Sequence, residues 1–298
     1  MTKRQKTRKR REDTMSRKGQ ASMEYAYLLN PGDLRAALGQ GDIANYRVRT
    51  IKSGDQVEVE AYPIHRPGSN SIRRRREAES CTSEAQAEVN RRNAEKKITR
   101  LLNANFTRKD ISMTWTYETA PGSIEAAQKE LTNGINRLRR VFKRRQAAGS
   151  IEAGHEFKYL YVSEYATREG EPVRVHHHIV CNIPDRDAAE ACWKRGRANA
   201  DRLQPDRYGF TALGKYLSKA PTHKRRWAGS RNLKQPTITA ADRKLSKRRA
   251  MALIDDVEAN AKGIFTKLYP GCEYLDCTVR VSEWMQGGYI YARMRKIA

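Results

Sequence analysis

Val175-His176-His177-His178-Ile179-Val180 is the stretch on which the fold turns. Three imidazoles lie inside an apolar, β-branched run, and such runs favour strands. Alternate residues of a strand share a face, so His176 and His178 point one way and His177 the other. Two neutral imidazoles at that spacing make half of a metal site. A single histidine on a strand is ordinarily a hydrogen-bonded structural residue. The pair at i and i+2, in a strongly basic chain, is what favours a metal over that plain alternative. His177 is left to packing or to support of the ligands from behind.

Working outward, Phe157 to Tyr165 is rich in β-formers, Arg168-Glu169-Gly170-Glu171-Pro172 is a turn, and Val173 to Ile183 carries the histidines. Together they make a hairpin. Cross-strand partners share a face. With a three-residue loop at Glu169-Gly170-Glu171, Glu164 stands opposite His176 and becomes the third ligand; with a two- or four-residue loop the register slips and it faces away. Two imidazoles and a carboxylate leave open positions on an ion, which suits Mn²⁺ or Mg²⁺ polarising a phosphate oxygen.

The flanks follow the same logic. Ile111 to Tyr117 reads as a strand, and Ser123 can cap a long helix with a stripe at Ile124, Ala127, Leu131, Ile135, Leu138 and Phe142. Downstream, Asp185 can cap a helix to about Arg197. An extended piece at Leu203-Gln204-Pro205 follows, then a helix from Phe210 to Lys219 and a strand from Leu233 to Thr239. Near the start, Tyr46 to Ile64 is a hairpin turning at Ser53-Gly54-Asp55. Ser83 with Gln86 resembles a capping box opening a helix to about Asn103. At the other end, Ala241 to Phe265 reads as helix, and Cys277–Val281 with Tyr289–Arg293 as a closing hairpin. The expected class is α+β: an antiparallel sheet with flanking helices, a ferredoxin-like or RRM-like core. The expected organisation is a disordered basic tail over 1–22, a hairpin and helix extension over 23–106, a catalytic core over 107–240, and a helix and β-hairpin over 241–298.

Composition says what the chain meets. Its 298 residues carry a formal net charge of +25. Folding does not require that excess; a polyanionic partner explains it. There is no apolar span of membrane length, and the basic start is followed by no apolar core, so neither a membrane nor a secretory signal is expected. Cys81, Cys181, Cys192, Cys272 and Cys277 form no disulfide framework, which fits a reducing cytoplasm. Cys272 and Cys277 lie close, yet no second pair answers them as a zinc site requires.

Gly214-Lys215-Tyr216-Leu217-Ser218-Lys219 supplies the candidate nucleophile. On a helix Tyr216 and Lys219 share a face. A phenol with a pKa of about 10 attacks poorly, but a nearby ammonium and a cation-polarised phosphate both assist it. The pattern alone is common on helix faces; its weight comes from following the histidine strand. Beyond it, basic and aromatic residues mix. Lys215, Lys224, Arg225, Arg226, Trp227 and Arg231 are candidates for phosphate contacts and base stacking on nucleic acid.

His176-His177-His178 with Ile179-Val180, then Tyr216-Leu217-Ser218-Lys219, resembles the two catalytic motifs of HUH endonucleases. The likeness is narrower still to the rolling-circle replication initiators of phages, plasmids and integrative elements, in their single-tyrosine class. Thr114-Trp115-Thr116-Tyr117 sits where that family has its first strand motif, and Glu164 resembles its third ligand. The middle position, usually apolar, is His177 here. The resemblance implies Mn²⁺ or Mg²⁺ on His176, His178 and Glu164, nicking of single-stranded or hairpin origin DNA by Tyr216, and a 5′-phosphotyrosine intermediate. It also implies assistance from Lys219, host helicase and polymerase as partners, and the cytoplasm of a bacterial host as the setting. Conjugative relaxases and transposases share that chemistry, and a non-catalytic binding module is the rival of another class. Histidine-triad hydrolases want a third alternating His where Val180 stands. Zinc deaminases want His-x-Glu with a cysteine pair. No G-x-x-x-x-G-K-[ST] loop signals a fused helicase.

Overall fold

The computed structural model describes residues 43–65, 84–166, 172–219, 227–281 and 287–297. The 1–22 segment, Ser83 of the expected capping box, the 169–171 loop, and Lys224, Arg225 and Arg226 lie outside the described residues. The strands are β1 (Ile43–Ser53), β2 (Gln56–His65), β3 (Ile111–Thr116), β4 (Tyr159–Ala166), β5 (Pro172–Cys181), β6 (Ala198–Arg202), β7 (Ala228–Gly229), β8 (Thr237–Ala241), β9 (Cys272–Val281) and β10 (Gly288–Lys296). The helices are α1 (Glu84–Asn105), α2 (Ile124–Ala147), α3 (Arg186–Glu190), α4 (Thr211–Leu217), α5 (Lys247–Asp255) and α6 (Val257–Leu268). This is the expected α+β class, with two antiparallel five-stranded sheets. The chain divides into two compact units, one of Ala94–Pro236 and one made of the residues on either side of it.

In the Ala94–Pro236 unit the strand order is β6-β3-β5-β4-β7. Alternation along β3 buries Ile111, Met113 and Trp115 on one face. They join Ile179 and Cys181 of β5 against the stripe of α2, in which Ala127, Leu131, Leu138 and Phe142 are buried. Each fully buried leucine or phenylalanine there contributes about 1.5–3 kcal/mol relative to exposure. Ser123 caps α2, its hydroxyl accepting from the Ala126 amide at 3.1 Å. The other face carries Leu160, Val162 and Val180, covered by Ile98, Leu101 and Leu102 of α1 and by Leu217 of α4. Helices therefore cover both sides of the sheet, and Glu164, His176 and His178 lie farther along the face that α4 covers.

In the other unit β10 pairs with both β2 and β9, and β8 with β1, giving the order β8-β1-β2-β10-β9. Its core joins Tyr46, Val48, Val59, Ile290 and Met294 to Leu253 and Phe265 of α5 and α6.

Three expected elements differ. The helix capped by Asp185 ends at Glu190 rather than near Arg197, because Trp193 turns in to stack on Trp115 with ring centroids 4.8 Å apart and β6 then pairs with β3. Gly196 in that connection has φ +150°, and a Cβ there would meet the Glu118 amide nitrogen at 2.5 Å. The helix expected over Ala241–Phe265 begins only at Lys247 and breaks at Asp256. Asp256 ends α5 in an extended conformation and caps α6 through the Ala259 amide. The strand expected from Leu233 starts at Thr237, where the chain reaches the β1 edge.

Candidate metal centre and nucleophile

β4 and β5 pair with Glu164 opposite His176 and Val162 opposite His178, the register in which the carboxylate joins the imidazoles. Pairing shifts farther out and resumes at Ala166 opposite Pro172. Glu164, His176 and His178 offer ligand atoms within 4.8 Å of one another and form a group that can hold a metal ion. His176 Nε2 lies 3.2 Å from Glu164 Oε2, and His178 Nε2 lies 3.5 Å from Oε1.

The donor set fits a cation in its protonation as well as its shape. His176 Nδ1 lies 2.9 Å from the Arg174 carbonyl oxygen. A carbonyl only accepts, so Nδ1 carries the proton and the neutral ring presents its Nε2 lone pair. His178 Nδ1 is 3.2 Å from the Thr114 hydroxyl, which can accept in the same sense. Oxygen partners on the far nitrogens are the usual support of metal-bound imidazoles. The two imidazoles hold the Glu164 carboxyl down at about 2, so it is ionised. Glu164 in turn raises His176 against the opposing effect of burial.

α4 brings Tyr216 to this group. The phenol is 53% exposed, and its oxygen lies 3.4 Å from His178 Nε2, with ring centroids 5.0 Å apart. Burial, then the Glu164 charge, raise its pKa. The helix is placed by Leu217, buried against the sheet, and by Gly214, which meets α1 so closely that a Cβ would stand 2.0 Å from Thr99 Oγ1.

Lys219 does not share a helical turn with Tyr216. α4 ends at Leu217, Ser218 is its C-cap, and Lys219 is exposed beyond it with no side-chain partner among the described residues. Lys215 and Arg231 are exposed. Trp227 is half-buried against the Leu160–Leu217 cluster, with Lys97 Nζ 5.6 Å from its ring centroid.

His177 points to the opposite face and is wholly buried. Its Nε2 lies 3.0 Å from the Tyr117 hydroxyl and its Nδ1 2.7 Å from Ser163 Oγ. Tyr117 donates its single proton to the Ala127 carbonyl. His177 Nε2–H therefore donates to Tyr117, and Nδ1 accepts from Ser163. The chain of bonds ties β4, β5, the end of β3 and α2 behind the ligand pair. Burial pushes this imidazole down to about 3, which keeps it neutral.

The sequence missed a groove beside the ligands. Thr114, Thr116, Arg174, Lys194, Arg197 and Asn199 line a cavity of about 1010 Å³. Thr114 belongs to both, since it also contacts His178. Strand pairing places Thr114 opposite both His178 and Asn199, which sequence shows only once the strand order is known. Lys194 and Arg197 are hidden by the expectation of helix there.

An antiparallel sheet presenting two imidazoles, a carboxylate and an accessible phenol beside a basic groove defines a protein equipped for phosphate-ester chemistry with a cation. Residues 110–221 match the replication-associated protein family that takes its name from ORF2, and that segment, well under half of the chain, contains all four side chains. No curated protein and no solved structure matches the chain. No helix among the described residues is long and apolar enough to cross a membrane.

Proposed function

We propose that the chain is a rolling-circle replication initiator of the HUH type, a metal-dependent endonuclease and strand transferase that nicks and rejoins single-stranded origin DNA. The observation that carries this reading is the convergence of the Tyr216 oxygen, His178 Nε2, His176 Nε2 and the Glu164 carboxylate within one patch of the sheet. The match of residues 110–221 to a replication-associated family supports it.

His176, His178 and Glu164 hold the divalent ion, Mn²⁺ or Mg²⁺. When bound, it supplies Lewis-acid polarisation of a non-bridging phosphate oxygen. Thr114 and the Arg174 carbonyl fix the imidazole tautomers. Tyr216 Oη forms a bond to phosphorus as the bond from phosphorus to the 3′-oxygen breaks. The phenol proton passes to solvent, and the departing oxygen takes a proton to become a 3′-hydroxyl. The 5′-phosphate stays on the tyrosine, so the phosphodiester energy is kept for rejoining and no nucleotide is consumed. Lys215, Lys219 and Arg231, with Arg174, Lys194 and Arg197 of the groove, are positioned to neutralise the strand on either side. The setting is the cytoplasm of a bacterial host, with host helicase and polymerase extending the 3′ end.

The test is to incubate the full chain with a random single-stranded DNA pool and Mn²⁺, then resolve covalent adducts under denaturing conditions. An adduct lost in Tyr216→Phe and in chelator, with DNA binding retained, supports the reading. Binding without an adduct makes the chain a non-catalytic module instead.

A further inference from the structure

Helix α5, in the unit outside Ala94–Pro236, has its charges reversed. The start of a helix carries partial positive charge and favours acids, and its end favours bases. The other long helices obey: α2 has Glu125 in its first turn and Arg144 and Arg145 in its last, and α6 has Glu258 and Lys267. α5 opens with Lys247, Arg248 and Arg249, has no acid in its first turn, and follows Arg243 and Lys244.

These cations are also unanswered. Elsewhere in the unit arginines find carboxylates, as in Arg47–Asp242, Arg49–Glu60 and Arg293–Asp276. Arg243, Lys247, Arg248 and Arg249 have no carboxylate partner among the described residues. Lys244 is folded over the Tyr269 ring, 3.6 Å from its centroid, where burial and then the neighbouring Lys52 lower its pKa. Arg243, Lys244, Ser246, Arg248, Arg249 and Asn260 line an open cavity of about 740 Å³. Leu245 and Ala250 are buried, so the packing of α5 fixes the cationic turn at the surface. Violations of a local rule concentrate at working sites.

We infer that this cavity is a second nucleic-acid site, in which Arg243, Arg248 and Arg249 grip backbone phosphates of a DNA duplex while the Ala94–Pro236 unit handles the single strand. Guanidinium forks match phosphate oxygens in pairs, and an anion at the start of α5 relieves both the dipole and the mutual repulsion. The choice of DNA among polyanions rests on the function proposed above.

The experiment compares the full-length parent with Arg243→Gln/Arg248→Gln/Arg249→Gln by fluorescence anisotropy on a labelled mixed-sequence duplex across a salt series. Losing three phosphate contacts makes the log–log salt slope shallower by about 2.7. The variant melts no lower than the parent, because repulsion at the start of α5 is removed, and a short single-stranded oligonucleotide is still captured covalently at the parental rate. An unchanged slope overturns the inference. So does loss of binding to phosphatidylglycerol vesicles with duplex binding intact, which makes the surface a membrane contact. If the parent forms no adduct, the nickase reading fails, and the salt slope still decides this one.

Discussion

Gly214→Ala tests whether the placing of α4, not merely the presence of Tyr216, sets the rate. The added Cβ would lie 2.0 Å from Thr99 Oγ1, 3.0 Å from Thr99 Cβ and 3.1 Å from Thr99 Cα. Rotation can move the hydroxyl, but Cβ and Cα belong to the framework of α1. Carbon atoms rest about 3.5–4.0 Å apart, so α4 must retreat by roughly half an ångström even after Thr99 rotates, and by more if it does not. Tyr216 is two residues along the same short helix and moves with it. A displacement of about 1 Å costs about 100-fold in a positioned reaction, so single-turnover adduct formation should fall between roughly 10- and 100-fold, or about 1.4–2.7 kcal/mol of barrier. Stability should change little, since overpacking of about 1–3 kcal/mol is partly offset by the helical preference of alanine, about 1 kcal/mol. Thr99→Ala in the same chain removes the nearest atom and should restore part of the rate. The reasoning is refuted if the single variant reacts at the parental rate with saturating oligonucleotide and Mn²⁺. It is equally refuted if Thr99→Ala restores nothing in a variant that melts normally.

Thr114→Val keeps the shape of the side chain but removes the oxygen that fixes His178. Mn²⁺ affinity by calorimetry should fall about 10- to 100-fold with the fold intact. Glu164→Gln should abolish Mn²⁺ binding at this group, because the ionised third ligand is gone; retained binding at parental affinity places the ion elsewhere. His177→Phe leaves the Ser163 hydroxyl and Tyr117 without their shared imidazole, at about 1–3 kcal/mol for each buried group left unpaired, and should lower the melting temperature measured by circular dichroism. In chelator, the raised His176 pKa makes its pair with Glu164 fully stabilising below the ordinary imidazole value of about 6.5, and that share is lost as pH rises through the folded value. Glu164, held at about 2, loses its share only as pH falls from the usual carboxylate range toward that value. The melting temperature in chelator should therefore decline on the alkaline side, and a slope unchanged in Glu164→Gln would contradict the assignment.

The ligand group was legible because it obeys local periodicities. His176 and His178 share a face by strand alternation, and hairpin symmetry about Gly170 places Glu164 opposite His176, as the pairing has it. Ser123, Asp185 and the stripe of α2 follow from equally local rules. What escaped depends on partners distant in sequence. Thr114 supports His178 across 64 residues, and Gly214 touches Thr99 across more than a hundred. Trp193 ends α3 early because a stacking partner lies on β3, not because the local sequence stops favouring helix. Lys219 joins Tyr216 on one face only if the helix runs another turn, which Ser218 forecloses. The break at Asp256 was readable in principle, since an aspartate three residues before an alanine amide can serve as a cap.

β10 sits between β2 and β9, so the sheet of the flanking unit joins residues from either side of the Ala94–Pro236 segment. During synthesis, domains tend to close as soon as their residues are available. The Ala94–Pro236 unit can finish while residues 288–296 are still to be made, whereas the flanking sheet waits with β2 lacking its neighbour. A ribosome that stalls in this last stretch would thus release a chain with the tyrosine centre assembled and the α5 cations on an unfinished support, an order of assembly written into the topology.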